Sequence, residues 1–115
     1  MRRAYVLAVL ALGLLACGAP ASSSSAKRGR RALAYYGCGS CHQIPGVAWA
    51  RGRVGPVLAG VAQRSYVAGR ISSEPADLLR FIRFPDQVDP QTAMPNLGVS
   101  ERDARDMTAY LYGLR

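Results

Sequence analysis

Five consecutive residues carry the densest chemistry in this chain of 115: Cys38-Gly39-Ser40-Cys41-His42. Two thiols three positions apart share one helical turn, and an imidazole follows directly. That spacing matches covalent haem attachment, in which both sulfurs form thioethers with the haem vinyl groups and the histidine is the proximal iron ligand. His42 is the sole histidine, and Cys17 is the only other cysteine. A structural zinc site wants four Cys or His ligands, and the three gathered here, with Cys17 far upstream, do not make one. A thioredoxin-like CxxC needs a βαβ context, and no strand-like alternation flanks this motif. A plain structural disulfide is the alternative left for an exported chain.

An iron held by one histidine has a second face to fill, and no second histidine exists in the chain. Methionine is the natural alternative. Met107 falls on the inward stripe of the final helix, where a packing role is expected. Met94 sits in a proline-bounded loop directly before Pro95, free of helical constraint, and is the expected distal ligand. A methionine thioether favours ferrous iron and raises the potential. Six ligands in both iron states leave no open position for a substrate, which points to a carrier rather than a catalyst.

The N-terminus reads as an export signal. Arg2 and Arg3 precede the apolar run from Ala4 to Leu15. Spanning a bilayer takes about 20 apolar residues, so this shorter run fits a signal peptide over 1–16. Leu14-Leu15-Ala16-Cys17 resembles a bacterial lipoprotein signal box, which would make Cys17 the lipidated first residue of the mature chain. Ordinary cleavage near Ala16 or Ala21 is the alternative. Bacterial c-type haem is attached outside the cytoplasmic membrane, so signal and motif agree. Residues 17–27, rich in small residues and serine, read as a lipidated cysteine and flexible tether. About ten such residues reach on the order of 35 Å at full stretch.

The remaining segment, 28–115, is one small domain. A chain this short is marginal on apolar burial alone, and a buried haem would supply much of its core. Arg28 to Tyr36 is expected as the first helix, with Leu33 inward, leading into the Cys motif. Gly-rich loops with short helical turns follow from Gln43 to Ser73. Glu74 to Phe84 is the second helix, capped by Ser73 with Pro75 in its first turn and Pro85 ending it. Asp86 to Leu97 is irregular. Ser100 opens the last helix, with Asp103 three residues on as a capping-box variant, and Ala104, Met107, Leu111 and Leu114 as its inner stripe. No β-hairpin signal is evident, so the expected class is all-α, three main helices with long loops.

With these elements in order, residues 29–115 resemble a class I cytochrome c domain, a fold wrapped around one covalent haem c. Gly29, nine residues before Cys38, matches the family glycine where first and last helices cross, and Tyr110 matches its aromatic partner. Leu33 stands where Phe is more common. Gly55-Pro56-Val57-Leu58 resembles the segment whose proline carbonyl accepts a hydrogen bond from the proximal histidine, which gives Pro56 that role. Arg64 corresponds to an arginine near a haem propionate. Phe81 replaces a frequent Tyr, and Trp49 has no matching position: packing on a haem edge and contact with a partner are both open. Ile44-Pro45-Gly46-Val47 and the run from Ala93 to Ser100 are similar to cytochrome domains associated with haem–copper oxidases.

The charge adds a constraint on partners. Fifteen Lys and Arg oppose seven Asp and Glu, a net of +8. Loss of residues 1–16 removes two arginines, leaving thirteen against seven, or +6. Nucleic acid binding sits poorly with an export signal, which leaves anionic lipid or an acidic protein. Lys27, Arg28, Arg30 and Arg31 could meet headgroups or form a solvated helix face. Arg51 and Arg53 could join a docking surface. The expectation is a membrane-tethered, one-electron carrier with no small-molecule substrate, facing the periplasm or outer side. Its expected partners are acidic redox proteins: a terminal oxidase, a bc-type complex or a dehydrogenase. The alternatives are a permanent cytochrome subunit of a dehydrogenase or oxidase, or a haem peroxidase or gas sensor with an open distal site.

Overall fold

The computed structural model describes residues 23–115. The signal segment 1–16 and Cys17 lie outside the described residues. The described chain is mostly helical: α1 (Ser23–Tyr35), a 3₁₀ turn at Cys38–Ser40, a second at Val61–Gln63, a hairpin of β1 (Tyr66–Val67) and β2 (Ile71–Ser72), then α2 (Pro75–Arg83), α3 (Pro85–Val88) and α4 (Glu101–Tyr112).

The hairpin corrects the purely α expectation. Tyr66 pairs with Ser72 and Val67 with Ile71 in antiparallel register. Three residues join the strands: Ala68 and Gly69 both adopt positive φ, and Arg70 N–H donates to Val67 O at 3.2 Å, closing a tight turn ahead of β2. Strands of two residues show no alternation in a sequence, so periodicity could not reveal them.

Helix α1 begins five residues before its expected start, inside the serine run assigned to the tether. Serine is an indifferent helix former, so tertiary contacts must supply what propensity lacks. They come from α4. Asp106 is 4 % exposed, and its carboxylate accepts from Arg28 Nε at 2.6 Å, Arg28 Nη2 at 3.0 Å and Ser25 Oγ at 2.6 Å. The two helices cross in near backbone contact at Gly29, where a Cβ would stand 1.9 Å from Asp106 O. Only glycine permits that approach.

Helix α2 starts with Pro75 in its first turn as expected, but its N-cap is Glu74 rather than Ser73, with no capping side chain. The Ser73 carbonyl instead accepts from the Tyr112 hydroxyl, tying the helix entrance to α4. Pro85 does end α2, yet its fixed φ suits the first turn of a helix, and it opens the short α3 within the segment expected to be irregular. Helix α4 meets the N-cap half of the capping-box expectation: Ser100 Oγ accepts from Asp103 N–H at 3.1 Å. The Asp103 carboxylate accepts from Tyr36 OH at 3.0 Å, a second link from α1. Ala104, Met107 and Leu111 are fully buried or nearly so, joined in the core by Leu33, Val61, Leu78 and Ile82. Among the described residues no helix is long and apolar enough to cross a membrane.

Two outcomes follow from the α1–α4 contact. Gly29→Ala must separate the backbones and should cost about 3 kcal/mol or more, read as a lowered midpoint in denaturant unfolding. The hydrogen bond from Arg28 holds the Asp106 carboxyl below its ordinary range. A depressed carboxylate stabilises fully above the unfolded-state value, near 3.9, and loses that contribution as pH falls through the folded value. Asp106→Asn should therefore cost on the order of 2 kcal/mol at neutral pH. The deficit relative to wild type should shrink in unfolding curves taken below about pH 4.

Candidate functional site

The Cys motif is positioned by backbone hydrogen bonds from the loop that follows it. Within the motif, His42 N–H and Cys41 N–H both donate to Cys38 O, at 3.1 and 3.3 Å. The loop then closes over it: Gly52 N–H donates to Gly39 O at 3.0 Å, Gly55 N–H to Cys41 O at 2.8 Å, and Leu58 N–H to Gln43 O at 2.9 Å. At Gly55 a Cβ would lie 2.3 Å from His42 Cε1, so the glycine is what lets the chain pass against the imidazole. Tyr110 secures the same loop from α4, its hydroxyl donating to Pro45 O at 2.6 Å.

His42 Nδ1 lies 2.7 Å from Pro56 O. A carbonyl only accepts, so Nδ1 carries the proton, and Nε2 is the nitrogen left with a lone pair. The ring is thus oriented with Nε2 left free, the arrangement seen behind metal-binding imidazoles. Arg64 Nη2 donates to Val57 O and to Ala59 O, the latter at 3.2 Å, which fastens the segment carrying Pro56.

These residues surround one cavity of about 410 Å³. Its walls are mainly apolar, with contributions from Leu33, Val61, Val67, Leu78, Phe81, Ile82 and Leu111. Among the described residues, Arg64 and Asp89 are the charged ones on them. The structure brings Cys38, Cys41, His42, Pro56, Arg64 and Met94 to this single space. Met107 reaches it as well, from a fully buried position on α4. Cys38 and Cys41 are free thiols, and burial pushes the Cys38 thiol upward, which keeps it protonated. Among the described residues no group of three or more His, Cys, Asp or Glu side chains could hold a bare metal ion.

Met94 is placed by different means. Gln91 N–H donates to Asp89 Oδ1 at 3.1 Å, and Met94 N–H donates to Thr92 Oγ1 at 3.1 Å. Such short side-chain-to-backbone bonds shape a loop without any strand or helix. Pro95 further biases Met94 to extended backbone. Sequence reasoning passed over Asp89 and Thr92, although a cluster of Asp, Pro and Thr is a legible turn signal. It also gave no pointer to the hairpin, whose Val67 and Ala68 complete one wall. Trp49 is not on the walls. It is 85 % exposed with φ at 62°, and the Arg51 guanidinium lies 5.7 Å from its ring centre.

Comparison of the chain with family models, with curated proteins and with solved structures found no match. The placement of Met94 carries its own test. Thr92→Val removes the acceptor for the Met94 amide at a cost of about 1 kcal/mol. Hydrogen exchange at that amide should rise about fivefold, with exchange in α4 unchanged.

Proposed function

We propose that the chain is a single-haem, class I c-type cytochrome that carries one electron at a time, tethered to a bacterial membrane through lipid on Cys17. The observation that carries this reading is the convergence on one apolar cavity of two thiols, an imidazole with only Nε2 free, and a loop methionine. The donor set suits haem c: Cys38 and Cys41 would hold it by thioethers, His42 would be the proximal ligand and Met94 the distal one. A bare ion has no ligand cage here, whereas a haem supplies four nitrogens of its own. When bound, it would supply a reversible one-electron couple.

The chain's own residues would do the rest. Pro56 O keeps the Nδ1 proton in place and the ring fixed through any change of charge. Arg64, already anchored to Val57 O and Ala59 O, has further N–H donors for a propionate. The apolar walls exclude water, so little solvent need reorganise when charge changes. The resemblance to domains associated with haem–copper oxidases makes a terminal oxidase the proposed acceptor, whether met in passing or held as a permanent partner.

The decisive experiment is a visible and near-infrared spectrum of the haem-loaded protein in both oxidation states. The expected result is a low-spin spectrum with the weak near-infrared band of methionine on ferric haem. Met94→Ala should abolish that band, while Met107→Leu should keep it. A high-spin spectrum, with rapid carbon monoxide binding to the ferrous protein, would replace the carrier with a peroxidase or gas sensor. Electron transfer to an acidic partner should also slow as salt rises, as attraction is screened over about 10 Å at 0.1 M.

A further inference from the structure

Helix α1 has two unlike faces. Gly29, Ala32 and Leu33 are buried on the side toward α4, and Leu33 reaches the cavity. The outer side carries Lys27, Arg30, Arg31 and Tyr35, all exposed, Tyr35 to 84 %. Lys27, Arg30 and Arg31 stand at i, i+3 and i+4, so their charges form one stripe. The thirteen residues of α1 contain no carboxylate. The ion pairs among the described residues use Arg28, Arg83 and Arg105, and none uses these three cations. Beside the stripe, between α1 and the first turn of α4, lies an open hollow of about 320 Å³ whose walls carry Arg28, Arg31 and Arg102 together with Asp103, Tyr35 and Tyr36. The Asp103 carboxylate accepts from the Tyr36 hydroxyl, and three cations outweigh that one anion.

We propose that this outer face of α1 docks on an anionic bilayer, with lipid phosphate received between Arg31 and Arg102. Like charges stacked at helical spacing repel one another, and a surface of phosphates relieves that repulsion while attracting each cation. Tyr35 fits the same partner, because an exposed phenol places its ring at the apolar boundary and its hydroxyl among headgroups. Arg28 contributes less, since its guanidinium is committed to Asp106. The inference rests in one respect on the tethered reading: Cys17 precedes Ser23 by six positions. An acyl anchor there would hold α1 within about 20 Å of the bilayer. Docking would then do what a tether alone cannot, fixing the orientation of the domain and leaving the side of α1 toward the cavity turned from the membrane.

The test uses the mature, lipidated, haem-loaded protein with Trp49→Phe and Tyr35→Trp, so that one indole reports on α1. It is mixed with vesicles of phosphatidylcholine alone or containing phosphatidylglycerol, with bromine on the acyl chains as quencher. The expected result is quenching in the anionic vesicles at low salt, reversed at high salt. Adding Lys27→Glu, Arg30→Glu and Arg31→Glu should remove it, with the protein still sedimenting with both vesicles. Arg102→Gln alone should weaken it about fivefold, the effect of removing one cation near such a surface. An anchored protein whose indole at position 35 stays unquenched in anionic vesicles would overturn the proposal. If the protein fails to sediment with neutral vesicles, the lipid-anchor reading fails. Low-salt binding to anionic vesicles, present in wild type and lost in the triple variant, would still support the face, and absence of that binding would overturn it.

Discussion

The close crossing of α1 and α4 is the constraint on which the rest of the domain depends. It joins the two ends of the described chain through a backbone approach that only Gly29 allows and a carboxylate, Asp106, buried against Arg28 and Ser25. Burying a carboxylate is costly unless it is paired and hydrogen-bonded, so the contact forms with its partners in place or not at all. Everything between the helices is then a closed excursion. Leu33 from α1 and Tyr36 just after it, with Met107 and Leu111 from α4, become adjoining walls of one cavity.

Two kinds of positioning meet inside that frame. The His42 side is built by backbone closure: Gly52 and Gly55 donate back to the Cys motif, Leu58 donates to Gln43 just after it, and the Pro56 carbonyl selects the imidazole tautomer. The Met94 side is built from local turns around Asp89 and Thr92, each a side chain bonding the backbone two positions on. The first arrangement is enclosed and cross-braced. The second is held over a few residues and is the more open to adjustment.

The charge of the domain is divided in a way that suits the proposed carrier. Among the described residues, Arg64 and Asp89 are the charged members of the cavity walls, which are otherwise mainly apolar. Positive charge is displaced to the surface, where α1 and the Trp49–Arg51 loop present separate basic regions. One region for a membrane and another for a redox partner would let the protein remain tethered while exchanging electrons.

The Cys38–His42 motif, the methionine loop and the inner stripe of α4 were legible in the sequence, because each is a short-range pattern: a fixed spacing, a proline-bounded segment, a helical period with a Ser cap. The true start of α1 was not, since serine has no strong helix preference and Ser25 is held by Asp106, 81 positions away. The hairpin and α3 were too short for periodicity to register. Ser73 was read as a cap from its type, but its carbonyl is claimed by Tyr112 from the far end of the chain. By itself the sequence determined which chemistry the residues could support and where the long helices run, because those depend on near neighbours. Only the tertiary structure decided that His42, Met94 and Arg64 share one cavity and that Nδ1 is the occupied nitrogen, because those facts depend on contacts that exist only after the chain has closed.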